Sequence, residues 1–132
     1  MKIQEQAVLG ANDAFYLAFS NKDMESMQKL WSDTHEIAVI HPGWPPLLGH
    51  EAVRSSWKRI LEGGMSPAIS CHDANAKILG DTALVICTEV LAETELVATN
   101  VFVREESGWK MIHHQSGPMP ALGNPAESDI LH

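Results

Sequence analysis

From residue 69 onward the chain alternates long runs of β-branched and apolar residues with short turns. The turns fall at Gly80-Asp81, between residues 92 and 97, and at Ser107-Gly108. Long runs joined by tight turns pair as antiparallel neighbours. We therefore predict an antiparallel meander with strands at 69–79, 83–92, 97–104 and 109–115. The second of these runs is almost entirely apolar, so we expect both of its faces to be covered, one by helices and the other by a partner subunit.

Three helices are predicted ahead of these strands. Val8, Phe15 and Phe19 belong to an apolar stripe at steps of three and four residues, the pattern of a helix that packs one face on a core. Asp23 is a good N-cap for a second helix, and Gly63-Gly64 ends a third. The helices are predicted at 3–20, 24–31 and 49–63, with a short strand at 36–40 before a proline-rich loop at 41–46. A curled sheet that wraps the first helix makes this an α+β fold.

Length and charge set the broad class of protein. The 132 residues suffice for one domain with its own core, which we place at 1–120, followed by a flexible tail at 121–132. The net charge of −8 argues against nucleic acid as a partner. The N-terminal segment lacks the apolar run of a signal peptide, and no window resembles a membrane span, so we predict a cytoplasmic protein with no membrane partner. Cys71 and Cys87 are then expected to be reduced and buried.

Several short motifs occur in a characteristic order. Val39-Ile40-His41-Pro42-Gly43 follows the second helix, Ala98-Thr99-Asn100-Val101-Phe102 lies in the third long strand, and Gly108-Trp109-Lys110-Met111-Ile112-His113-His114-Gln115 forms the last. Over residues 5–118 this order resembles the SnoaL-like branch of the nuclear-transport-factor-2-like (NTF2-like) superfamily. The resemblance implies a cone-shaped α+β barrel of the cystatin-like and ketosteroid-isomerase-like type, with three N-terminal helices packed in a curved, mostly antiparallel sheet. It also implies a pocket between helices and sheet and a homodimer formed through the sheet. Members include isomerases, dehydratases, polyketide cyclases, hydrolases and binding modules, so the fold leaves the function open.

The ketosteroid-isomerase-like members offer one comparison by position. They use a tyrosine of the first helix to stabilise an oxyanion, and an aspartate just before a proline to abstract a proton. Here the resemblance places Phe15 at the tyrosine position, with Tyr16 one step away on a different helical face. It places His41, which precedes Pro42, at the position of the base. Phe15 therefore argues against ketosteroid isomerisation, whereas His41 remains a candidate general base.

Histidines are the main candidates for acid–base chemistry, because an imidazole titrates near neutral pH. His41 lies where a strand meets a loop, a common place for binding residues, although a structural hydrogen bond would explain it equally well. His113 and His114 are neighbours on one strand, so they point to opposite faces and only one can enter a pocket. Periodicity does not choose between them; we favour His114, and a merely structural histidine is the alternative for either. No spacing typical of metal ligands or of a bound cofactor occurs, so we expect neither.

Three other kinds of residue are candidates for binding a ligand. Trp31, Trp44 and Trp57 are large flat side chains that suit the wall of an apolar site, although core packing is the alternative, above all for Trp31. Glu89 interrupts an apolar strand, so it needs a partner, a raised pKa or a place at a subunit interface. Asn100 interrupts another strand in the same way.

Two hypotheses follow for function. The first is a small-molecule-binding domain with an apolar pocket that performs proton-transfer chemistry, of isomerase, cyclase or dehydratase type, with His41 as general base. The second is a non-catalytic module whose sheet forms a homodimer or binds another partner. The residues leave open whether the protein is an enzyme and do not identify the ligand.

Overall fold

The computed structural model describes residues 2–64 and 68–119. Its helices are α1 (Lys2–Ser20), α2 (Met24–Leu30) and α3 (His50–Glu62). Its strands are β1 (Ala38–Ile40), β2 (Leu47–Leu48), β3 (Ile69–Leu79), β4 (Thr82–Leu91), β5 (Thr94–Glu105) and β6 (Gly108–Pro118). The predicted α+β fold, with three helices before a four-stranded meander, is confirmed. The tail predicted at 121–132 lies outside the described residues.

The six strands form one sheet in the order β2-β1-β6-β5-β4-β3. The short strand β1 pairs parallel to β6, and the other neighbours are antiparallel, so the sheet is mostly antiparallel as predicted. Within the described residues β2 and β3 are the two edges of the sheet. The sheet is therefore an open cone rather than a closed barrel.

Two details of the strand prediction were wrong. No strand was predicted between the proline-rich loop at 41–46 and the third helix, yet Leu47 and Leu48 pair with β1 there. The last strand was expected to end before Gly117, but β6 continues to Pro118, which pairs with Leu96 of β5. Since β1 borders β6 only from His113 to Gln115, the missing N–H of Pro118 lies where β6 has a neighbour on one side only.

The helix ends follow from capping. The side chain of Asp23 accepts a hydrogen bond from the Ser26 backbone N–H at 3.1 Å, as expected for an N-cap. After α3 it is Gly64, with φ of 74°, that takes the left-handed conformation, whereas Gly63 is still right-handed. The missing β-carbon of glycine permits this exit from the helix.

The core lies between the helices and the inner face of the sheet. Val8, Phe15 and Ala18 of the predicted stripe are buried on α1. Trp57 of α3 packs edge-on against Phe15 and Phe19, with ring centroids 5.4 and 5.1 Å apart. These contacts pack α3 against α1.

The long strands bury one face and expose the other. On β4 the inner face is made by Ala83, Val85, Cys87 and Glu89, all of them buried. The opposite face, which we call the outer face, carries the alternate residues of β4 and β5. On it Ile86 and Val97 are 45% and 41% exposed. The helices thus cover one face of β4 as predicted, and the described chain leaves the other uncovered. No helix within the described residues is long and apolar enough to cross a membrane.

Candidate active site

A cavity of about 170 Å³ opens between the inner face of the sheet, α3 and the loop after β1. We call it the inner cavity. Its polar side chains are His41, Glu89, His114 and Ser116, and its walls are mostly apolar and include Trp44. The site therefore places three titratable groups in a small apolar space.

Glu89 is the acidic group of the inner cavity. Glu89 lies on the inner face of β4, which carries every second residue of the strand, and it is only 2% exposed. The Tyr16 hydroxyl donates a hydrogen bond to Glu89 Oε2 at 2.6 Å. Burial raises the pKa of Glu89, and the hydrogen bond from Tyr16 opposes that rise only in part. The carboxyl is therefore biased toward its protonated, proton-donating form.

His114 faces Glu89 from β6. Its Nδ1 lies 2.5 Å from Asn100 Oδ1, an acceptor, so Nδ1 carries the hydrogen and Nε2 keeps its lone pair. Nε2 lies 3.8 Å from Glu89 Oε2, which is too long for a hydrogen bond. Burial, together with the nearby His41, lowers the pKa of His114 to about 3. The imidazole is thus neutral at ordinary pH, and the two groups face each other without forming an ion pair.

Asn100 of β5 fixes the orientation of this pair. Its amide nitrogen donates to Asn12 Oδ1 at 2.8 Å and to the Tyr16 hydroxyl at 3.2 Å. With both amide hydrogens used in this way, only its oxygen remains for His114. A fully satisfied buried network of this kind fixes each tautomer and rotamer.

His41 is the second histidine of the inner cavity. The Ser56 hydroxyl donates to the Val53 carbonyl at 2.7 Å, so it accepts from His41 Nε2 at 2.9 Å. The hydrogen is therefore on Nε2, and Nδ1 is free to accept a proton. Burial lowers the pKa of His41 to about 4. Edge-on contacts with Trp44 and Trp57, at 5.0 and 4.8 Å between centroids, hold the ring in place.

The structure brings most of the predicted site residues together. His41, Trp44, Glu89 and His114 line the inner cavity. Asn100 lies behind them and positions His114. The neighbour His113 lies on the opposite face of β6.

The other two tryptophans predicted for the site, Trp31 and Trp57, lie among the helices. The Trp57 ring lies 5.7 Å from that of His114, between centroids. Trp31, in contrast, lines a separate cavity between α2 and α3, which Trp57 also lines.

Sequence reasoning missed the polar residues that support the site. Tyr16 was set aside because it lies on a different helical face from Phe15, but both residues are buried because the sheet curves around α1. Phe15 contacts the His114 ring at 5.0 Å, while Tyr16 bonds Glu89. Asn12, one turn before Tyr16 within the apolar stripe, was a usable signal, because an amide on a buried helical face needs a partner.

Comparison with known proteins agrees with this fold. The family model for the SnoaL-like domain matches residues 8–121. The chain belongs to the SnoaL-like family. A crystal structure of a "putative dehydratase" of the NTF2-like family from Streptomyces avermitilis is 34% identical to this SnoaL-like chain, with a TM-score of 0.81 over 91% of this chain and 99% of that one. A Caulobacter vibrioides protein with a cystatin-like fold shares the fold at 13% identity, with a TM-score of 0.80 and 98% of each chain covered.

The SnoaL-like chain also matches a curated protein of a different kind. The F-box protein SKIP8 of Arabidopsis thaliana is 25% identical to it over 116 residues, which is 86% of this chain. The SnoaL-like chain spans about half the length of that relative. Within the parts of the SnoaL-like domain that the structure describes, no group of three His, Cys, Asp or Glu side chains is arranged to hold a metal ion.

Proposed function

We propose that the protein is an acid–base catalyst that removes water from, or isomerises, a compact neutral organic substrate in the inner cavity. The observation that carries this proposal is the arrangement of Glu89, His114 and His41: a carboxyl of raised pKa and two neutral imidazoles share one apolar cavity and form no ion pair there. Titratable groups whose environments move their pKa values in this way are typical of acid–base sites. The similarity to a "putative dehydratase" supports the same class of reaction.

The proton steps follow from the hydrogen bonds. His41 Nδ1 takes a proton from the carbon next to a substrate carbonyl, and the electron pair of that C–H bond forms the new double bond. The neighbouring C–O bond breaks, and protonated Glu89 gives its proton to the leaving hydroxyl, which departs as water. His41 is then protonated and Glu89 ionised, and a proton passed from one to the other restores the site. In an isomerisation no hydroxyl leaves, and Glu89 instead protonates a carbon other than the one from which His41 took the proton.

The other cavity residues position the substrate in this scheme. The Ser116 hydroxyl is buried in the same cavity beside Glu89, where it is placed to donate to the substrate carbonyl or to the ionised Glu89 carboxylate. His114 Nε2, held by Asn100, is an acceptor for the substrate hydroxyl. The cavity of about 170 Å³ is smaller than the roughly 300–1,000 Å³ of sites for drug-sized ligands. We therefore expect a short substrate with no net charge.

The test is an NMR assay of small β-hydroxy ketones in D₂O. Deuterium entering the carbon next to the carbonyl reports the base, and loss of the hydroxyl group reports the full elimination. We expect Glu89→Gln to slow elimination by about 10²- to 10⁴-fold, the usual contribution of a general acid, while deuterium exchange by His41 persists. His41→Gln should lose both signals.

His113→Gln is the matched control, because it changes a neighbouring histidine on the other face of β6. It should behave as the wild type. A wild-type protein that exchanges deuterium no faster than buffer would overturn the proposal, as would full activity of Glu89→Gln.

We also propose that the outer face of the sheet forms a homodimer, with or without catalysis. Ile86 and Val97 lie on adjacent strands and are nearly half exposed. Apolar side chains in a contiguous exposed patch indicate an interaction site. This observation is also what favours the alternative, non-catalytic function.

The dimer is tested by the mass of the protein in solution. Replacing Ile86 and Val97 together by Lys should convert a dimer into a monomer in sedimentation. Ile3→Lys is the control, since Ile3 is 80% exposed on α1, away from the sheet. A wild-type monomer at high concentration, or a double variant that remains dimeric, would refute the interface.

A further inference from the structure

A second cavity, of about 250 Å³, lies between α2 and α3. We call it the outer cavity. Its apolar walls include Met27, Ile37, Trp31 and Trp57. Trp57 connects the two cavities, since its ring also contacts His41 of the inner one. The outer cavity takes no part in the chemistry proposed above.

Two buried donors belong to the walls of the outer cavity. Trp31 and Trp57 are only 6% and 1% exposed. Neither indole Nε1–H has a hydrogen-bond partner within the residues that the structure describes. A buried donor left without a partner costs about 1–3 kcal/mol of stability. Both residues line the outer cavity, so an acceptor that enters it and reaches one of these donors would recover that free energy.

The charges around the outer cavity limit what that acceptor is. Asp33 and Glu51 at its edge oppose an anion, and Arg54 opposes a cation. The His50 imidazole is occupied, because its Nε2 bonds the Ser32 carbonyl at 3.0 Å. The walls thus favour a neutral, apolar molecule with one hydrogen-bond acceptor.

We propose that the outer cavity is a second binding site, for a small neutral molecule whose carbonyl oxygen accepts a hydrogen bond from the indole N–H of Trp31 or Trp57. The apolar body of the ligand packs against Met27 and Ile37. The site does not depend on the chemistry proposed for the inner cavity, because Trp31 lies outside that cavity.

The experiment titrates the intact protein with cyclohexanone and follows the indole N–H resonances by NMR. Methylenecyclohexane, which has the same shape without the oxygen, is the matched probe. We expect cyclohexanone to move the Trp31 or Trp57 resonance downfield and saturably, because an N–H is deshielded when it donates to oxygen. Methylenecyclohexane should produce no such downfield shift.

Two variants locate the probe. Replacing by Phe the tryptophan whose resonance shifts keeps the aromatic wall but removes the donor, and should weaken cyclohexanone binding roughly 3- to 10-fold, the effect of one neutral hydrogen bond. Glu89→Gln changes only the inner cavity and should leave the indole shift intact. Absence of a saturable shift in the wild type, equal shifts with both probes, or loss of the indole shift in Glu89→Gln would each overturn the proposal. Failure of catalysis in the inner cavity would leave it unaffected.

Discussion

The two buried imidazoles make a specific prediction for how stability depends on pH. Each histidine is neutral in the folded protein down to a pKa of about 4 for His41 and about 3 for His114. In the unfolded chain an imidazole titrates near its ordinary pKa of about 6.5. As the pH falls below that value the unfolded chain binds protons that the folded chain does not, so the free energy of unfolding falls.

The size of the effect follows from the width of that window. Between about pH 7.5 and about pH 5, protonation of one imidazole stabilises the unfolded chain by about 2 kcal/mol. The folded protein gains almost no such stabilisation, because its imidazole stays neutral over this range. The two histidines together should therefore cost about 4 kcal/mol over this range. Glu89 acts in the opposite sense, since its raised pKa favours the folded state as the pH falls toward its folded value. Two proteins that both contain Glu89 share this contribution, so it cancels when their losses of stability are subtracted.

Urea unfolding at both pH values measures this difference. His114→Gln keeps an amide that can donate to Asn100 and lacks the titrating group. Between about pH 7.5 and about pH 5, the free energy of unfolding of this variant should fall by about 2 kcal/mol less than that of the wild type. His113→Gln leaves both buried imidazoles in place and should show the same loss as the wild type. Equal losses in the wild type and in His114→Gln would refute the buried, neutral state of His114.

Three further predictions concern the same network. Tyr16→Phe should lower the free energy of unfolding by about 1.5–3 kcal/mol in urea, because it removes a 2.6 Å hydrogen bond to a buried carboxyl; a loss near zero would contradict that bond. Asn100→Asp should cost about 3 kcal/mol or more, measured in the same way, because a carboxylate replaces the donor to Asn12 and Tyr16; a fully stable variant would show that the amide is oriented otherwise. For a substrate found by the D₂O assay, the rate should rise with pH through about 4, as His41 loses its proton, and fall above the raised pKa of Glu89. A profile that stays flat on its alkaline side would exclude Glu89 as the acid.

The fold was predictable because its signals are local. The turn at Gly80-Asp81 and the stripe that begins at Val8 each determine an element by their own residues. Strand β2 was not predictable in that way. Its two residues follow prolines and become a strand only because β1 provides hydrogen-bond partners, which is a tertiary effect.

The site was predictable only in part, for the same reason. Glu89 and Asn100 stand out because they interrupt apolar strands, whereas periodicity alone does not choose between His113 and His114. Tyr16 does not stand out, since a tyrosine next to a buried phenylalanine is ordinary on a helix. Its role depends on the curvature of the sheet around α1, which brings Cys87 and Glu89 to a second face of that helix. That curvature is a property of the whole sheet.

Glu89 is the residue at which stability and the proposed function conflict. A glutamine there would still accept the hydrogen bond from Tyr16 and would avoid the cost of burying an ionisable carboxyl, which is what raises its pKa. The described cavity offers Glu89 no cation for a salt bridge, since His114, whose Nε2 lies 3.8 Å from Oε2, is neutral. Packing alone therefore does not explain an acid at this position. A proton that must be given to a substrate does explain it, because glutamine has none to give.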